Sequence, residues 1–186
     1  MAFNSVAEIF DSIDETRRRL DHTLSGIADE QQNFRSTPEA WTIAEIAEHL
    51  SIFEHQMVQL TGMMLRKAEA AGMLRAADAQ PQTPDHFSID RFVEQSKGEK
   101  YIAPETVRPR GELPLAQSLA RLQTSRASLR ELRPRLEQVD GAALQYPHPA
   151  FGALNLYQWL AFIGAHEERH LRQIEAIINR KPEPKD

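Results

Sequence analysis

Cysteine is the first thing missing. None occurs in the 186 residues, which excludes disulfides, Cys-ligated zinc and a thiolate nucleophile supplied by the chain itself. Nor is there an excess of positive charge: Lys and Arg number 22 against 27 acids, for a net charge of −5. The bases are interleaved with the acids, so no basic field exists to hold a polyanion, and the expected partners do not include nucleic acid. Long apolar runs are lacking too. The longest, "WLAFIGA", falls far short of the roughly 20 residues of a membrane span. The opening "MAFNSVAEIFDSIDETRRRL" is amphipathic and contains acids, without the order of a signal peptide. At 41% hydrophobic residues, the composition suits one globular domain over 1–186 with a sizeable core. A soluble, cytoplasmic protein is the expectation.

No strand-period segment or internal repeat stands out either; what is present is helical. Val6, Ile9, Phe10, Ile13, Leu20, Leu24 and Ile27 predict a first helix over 5–28, with Ser5 and Glu8 at capping-box spacing. A loop closed off by Pro38 follows. The second helix has full start signals, a Thr42/Glu45 capping box and a Trp41/Ile46 hydrophobic staple. Its stripe is Ile46, Leu50, Phe53, Met57, Leu60 and Met64, and it should run to about Ala71. Residues 72–112 carry Pro81, Pro84, Pro104 and Pro109 and no long period, apart from a short helical piece around "SIDRFVEQ". A connection this long either crosses a bundle or covers a site. The third helix begins at Pro114 and shows Leu115, Leu119, Leu122, Leu129, Leu132 and Leu136, with Arg126 interrupting at a stripe position. "DGAALQYPHPAFGAL" reads as a structured loop, and the fourth helix runs from Asn155 to near Arg180, before a tail at 181–186. Asn155/Gln158 and Leu154/Trp159 repeat the box and staple of the second helix. The predicted fold is an all-α four-helix bundle with a long crossover between helices 2 and 3.

Two histidines break the apolar stripe of the fourth helix, which passes through Leu156, Trp159, Leu160, Ile163, His166, His170, Ile174 and Ile177. Both imidazoles should point into the bundle, one turn apart, while Glu167, Glu168, Arg169 and Arg172 spread around the outside. Spacing alone is weak, because seven histidines produce some pair four apart by chance about one time in five. Placement strengthens it: burying one unpartnered polar ring costs on the order of 1–3 kcal/mol, and a shared divalent cation would account for two. His49, on the flank of the second helix's stripe, is the candidate third ligand. His86, in the crossover, and His148, in "YPHPAFG", are alternatives, whereas His22 and His55 are rotated roughly 180° from their stripes and read as solvated. Three imidazoles without a carboxylate resemble an open catalytic metal site more than a closed structural one. Such ligands suit Zn or Ni first, and Cu, Fe or Mn after them, rather than Mg or Ca. One geometric demand is strict. His49 lies ~10 Å past its helix start, and His166 and His170 ~16–22 Å past theirs, so the helices must be staggered by most of two turns.

At these residues the chain resembles the DinB-like family of metalloenzymes. The resemblance rests on "WTIAEIAEHL", on "HEERHLRQIEAI" with its H-x-x-x-H-x-x-Q-I pattern, and on the "HPAFGALNLYQWL" lead-in with Gly152 before the helix. It covers essentially the whole chain in the expected order. It implies a four-helix bundle holding a divalent metal on His49, His166 and His170, homodimers, and an S-transferase that uses a low-molecular-weight thiol, or a related hydrolase. The 72–112 segment is longer than a minimal member would have.

A metal held this way would make a thiolate or hydroxide nucleophile at neutral pH without any protein cysteine. Arg126 would orient an anionic group on the substrate, or else lay its stem along the core with its head in water. No general base stands out: Glu45 is explained by its capping box, and Glu167 and Glu168 read as a solvated face or as a partner to a histidine. Trp41 and Trp159 read first as staples and core, and second as pocket walls. The alternative to an enzyme is a non-catalytic small-molecule-binding or dimerisation bundle whose histidines pair with backbone or water.

Overall fold

The computed structural model describes residues 3–73, 103–149 and 151–179. Its helices are α1 (Val6–Leu24), the short α2 (Asp29–Gln32), α3 (Ile43–Ala70), α4 (Leu115–Leu136) and α5 (Leu156–Ile178). A single 3₁₀ turn (Glu105–Val107) and two strands, β1 (Gln145–His148) and β2 (Gly152–Asn155), complete the described elements.

Caps set the helix starts. At α3 the Glu45 amide donates to Thr42 Oγ1 (3.2 Å) and the Thr42 amide to the Glu45 carboxylate (2.8 Å), so two of the orphan donors of the first turn are satisfied. Asn155 and Gln158 form the same reciprocal box at α5, at 2.9 and 2.8 Å. The α1 box is only half made: Ser5 Oγ accepts from the Glu8 amide, but the Glu8 carboxylate is taken by the Asn4 amide at 2.7 Å. Pro114 stands one residue outside α4, with extended backbone, rather than in its first turn. The first helix stops at Leu24, four residues short of the expected end, because Gly26 turns the chain with φ +78°.

The four long helices bury most of the predicted stripes, with Met57, Leu60, Leu119, Leu132 and Ile177 only half-buried. Ile9, Phe10, Ile13, Leu20, Ile46, Leu50, Leu122, Leu129, Leu136, Leu156, Leu160 and Ile174 are all core residues. Packing follows an uncommon order: α1 and α3 each lie against both α4 and α5. The consecutive long helices α1 and α3 therefore occupy opposite corners of the bundle, and so do α4 and α5. Gly164 permits the α1–α5 approach, since a Cβ there would stand 2.8 Å from Ile13 Cγ2.

Two further differences from the sequence reading concern local structure. The strands Gln145–His148 and Gly152–Asn155 form an antiparallel ribbon, with Tyr146 opposite Leu154 and His148 opposite Gly152. Strands of four residues are too short to show a period of two, and Pro147 in β1 hides them further. Residues 29–32, expected as loop, make one helical turn. The "SIDRFVEQ" piece and His86 lie outside the described residues.

The larger correction concerns charge. Arg126 is 2% exposed, and its head is neither in water nor turned toward a substrate. It donates to Glu54 (2.8 Å), Glu167 (3.1 Å) and the Ile13 carbonyl (2.6 Å). Glu167, expected on the solvated face, is equally buried and also accepts from Arg17 Nε at 2.6 Å. Arg17 completes the set with a short bond to Glu54. Burial pushes the Glu167 carboxyl up, and the guanidinium groups of Arg17 and Arg126 pull against it. Glu168 is half-buried and pairs with Arg19 and Arg172.

Candidate metal centre

His49 enters the core because it follows Ile46 by one turn on the inward face of α3, and its residue is 2% exposed. On α5 the step from Ile163 to His166 to His170 stays on one stripe, as the periodicity required. The bundle supplies the stagger: one ring nitrogen from each of His49, His166 and His170 lies within 4.8 Å of the others. His49 Nε2 and His166 Nε2 are 3.2 Å apart. Two nitrogens on a tetrahedral zinc, each about 2.0–2.1 Å from it, stand roughly 3.3–3.4 Å from one another. The spacing fits a shared ion.

Outer contacts fix two of the rings. His49 Nδ1–H donates to the Val107 carbonyl at 2.6 Å, so its Nε2 carries the lone pair that faces the cluster. His170 Nδ1–H donates to Gln173 Oε1 at 3.0 Å, again leaving Nε2 as the free acceptor. The Val107 carbonyl is held in place by a strap over α3. Gln56 donates to the Thr106 carbonyl and the Gly111 amide to the buried Glu48 carboxylate, both at 2.8 Å. Gly111 needs its freedom there, with φ +72°.

Protons alone do not satisfy this cluster. If His166 Nε2–H donates to His49, then His166 Nδ1 and His170 Nε2 remain buried without a partner. Orphans of this kind cost on the order of 1–3 kcal/mol each. Burial first, and then the neighbouring rings and Arg169, hold His166 well below the ordinary imidazole pKa and His170 at about 3. His49 is lowered by burial and by Arg169, against the Val107 bond that raises it. All three shifts favour the neutral ring, the state in which imidazole ligates a cation.

Aromatic rings wall the cluster. Phe53 stacks on His166 with centroids 3.9 Å apart, and Trp41 lies against His49 at 4.9 Å and His170 at 6.3 Å. Trp41 also packs against the apolar cluster that contains Ile46, so it is core as well as wall. Trp159 is core, its indole N–H donating to the Tyr146 carbonyl at 3.1 Å.

The profile of the DinB superfamily matches residues 12–174, a span that includes all three histidines. The chain belongs to the DinB superfamily. This DinB chain is 29% identical over 164 residues to the uncharacterized protein YuaE of Bacillus subtilis (strain 168), covering 88% of this chain and 93% of YuaE. Two solved structures share the fold. TT2238, described as a four-helix bundle protein, aligns with TM-score 0.61 and 22% identity over 91% of this chain and 98% of its own. YfiT from Bacillus subtilis, described as a probable metal-dependent hydrolase with an unusual four-helix bundle topology, aligns with TM-score 0.60 and 16% identity over 93% and 87%.

Among the described residues of this DinB chain, His22, His55 and His148 are not members of the three-nitrogen group. His22 and His55 are exposed on α1 and α3, as their rotation required, and His55 bonds Gln59. His148, on β1, packs among Phe151, Trp159 and Phe162, and burial lowers its pKa to about 4. Glu45 is engaged by its capping box and by Arg35 at 2.6 Å. Sequence reasoning passed over the Val107 carbonyl and Gln173, the two groups that orient rings; only Gln173, one turn after His170, left a signal in the residue pattern. No helix among the described residues is long and apolar enough to cross a membrane.

Proposed function

We propose that this protein is a metal-dependent enzyme in which His49, His166 and His170 hold one divalent cation, zinc or nickel before iron or manganese. The observation that carries the reading is His170 Nε2, buried and without a hydrogen-bond partner, in a group where ring nitrogens of His49 on α3 and of His166 and His170 on α5 all lie within 4.8 Å of one another. Three neutral imidazoles leave coordination open, and an ion so held lowers the pKa of bound water toward about 7 and deprotonates a bound thiol.

The residues around the cluster favour a low-molecular-weight thiol as co-substrate and S-transfer to a small electrophile as the reaction. The chain has no cysteine of its own to serve as nucleophile. Arg169, half-buried between the two α5 histidines in sequence, lowers the pKa of all three rings by its charge. It takes the anion-orienting role that Arg126 is too enclosed to fill, and carboxylates on a peptide-like thiol suit it. Phe53 and Trp41 cover flanks of the ring cluster and limit water there. Metal-dependent hydrolysis, with water in place of the thiol, is the second reading, favoured by the description of YfiT. Homodimer formation is part of the proposal through the family resemblance alone.

Protein purified without an affinity tag should carry close to one divalent ion per chain by elemental mass spectrometry. With that ion present it should couple glutathione, bacillithiol or mycothiol to a generic electrophile. Absence of stoichiometric metal, together with a melting temperature indifferent to added Zn²⁺ or Ni²⁺, would leave a non-catalytic bundle as the reading. Metal without any thiol turnover, but with ester or amide cleavage, would select the hydrolase.

A further inference from the structure

Arg17, Glu54, Arg126 and Glu167 form a closed ring of alternating charge, with one member from each of α1, α3, α4 and α5. Each arginine bonds both glutamates and each glutamate bonds both arginines, and all four residues are buried. The Arg17–Glu54 and Arg126–Glu167 pairs join the helices that face one another across diagonals, where backbones do not pack. The ring therefore lies across the bundle axis. We infer that it is a register lock, whose role is to fix the axial stagger at which His49 of α3 meets His166 and His170 of α5.

Placement and chemistry converge on that role. Glu167 sits between the two α5 histidines, and Glu54 follows His49 by five positions and Phe53 by one. A level fixed by the ring is thereby fixed for the cluster. Apolar stripes alone do not set such a level, because leucine and isoleucine contacts tolerate sliding and repacking. Stability alone is also a poor reason for the charges, because apolar residues of similar volume commonly replace a buried ionic set at no loss. A directional set whose four members must all pair is satisfied at one stagger, the use best attested for buried polar groups in helical assemblies. Arg126 adds the Ile13 carbonyl and Asp14 as further partners, which ties α1 into the same level.

These are positioning residues, and the proposal rests on the metal reading only for its purpose. Because the chain lacks cysteine, Gln59→Cys on α3 and Ala176→Cys on α5, both exposed, can carry a pair of spin labels. Their distance distribution reports the stagger directly, and Zn²⁺ affinity is measured in parallel against a chromophoric chelator. In the quadruple variant Arg17→Met/Glu54→Leu/Arg126→Met/Glu167→Leu, we expect retained helicity, a shifted or broadened distance distribution, and Zn²⁺ affinity at least tenfold lower. Arg126→Lys keeps the charge but not the fork, and should broaden the distribution with a loss of about threefold; it decides the matter if the quadruple variant does not fold. Unchanged distances in the folded variants overturn the lock, whatever happens to zinc. Shifted distances in a protein whose wild type binds no zinc would uphold the lock and defeat the metal reading.

Discussion

Two polar clusters share the interior of this bundle, and they treat their hydrogen-bonding groups in opposite ways. In the arginine–glutamate ring every carboxylate oxygen of Glu54 and Glu167 accepts a guanidinium, and Arg17 Nη1 is the one nitrogen left over. In the histidine cluster, one residue away on α5, three ring nitrogens converge and leave buried atoms without partners. All four members of the ring are buried, as are His49 and His170, while His166 is half-buried. On the proposed reading, the set closed on itself serves the structure and the set left open toward a common point serves a ligand.

Breaking the closed set should cost most. Arg126→Ala leaves Glu54 and Glu167 short of a partner in the core, and unfolding by denaturant should show a loss of about 3–5 kcal/mol. Opening the other cluster costs binding before it costs folding. His170→Ala should lower zinc affinity about 100-fold or more, about 2.7 kcal/mol, with an unchanged helical spectrum, while His55→Ala should leave zinc binding alone. An equal loss at His55 would mean that the wrong α3 ring has been assigned.

Acid should separate the clusters next. The folded pKa values of the three rings lie below the unfolded value, so the unfolded chain takes up protons first. Metal-free protein should therefore hold its full stability above about pH 6.5 and lose it as pH falls toward 5, by about 1.4 kcal/mol per pH unit for each ring that titrates only on unfolding. Denaturation series at pH 7.5 and 5 measure the slope, and His170→Phe should flatten it. The smallest effect is expected at Arg169: Ala there should raise KM for an anionic thiol by about tenfold or less, with kcat and metal content near wild type.

The same contrast explains what could be read in advance. The long helices, their boxes and staples and the inward histidines are periodic features, and periodicity survives in sequence. The stagger that brings His49 to His166 is tertiary and left no local trace. The ring is harder to read, because charged residues near a helix face ordinarily mean solvent, yet its traces are there in the gaps. Between Ile13 and Leu20 the α1 stripe skips to Arg17, and between Leu122 and Leu129 the α4 stripe skips to Arg126. Glu54 stands one turn from Leu50, on the inward side. A charge at a stripe position on three helices at once points to partners. The ribbon of β1 and β2 is hidden because four-residue strands carry too little pattern.

X-ray absorption at the zinc edge of the zinc-loaded protein tests the central claim most directly. One ion per chain with three imidazole nitrogens in its first shell at about 2.0–2.1 Å, reduced to two in His170→Ala, is the predicted result. A shell of oxygen scatterers alone, or a spectrum that His170→Ala does not change, would contradict it.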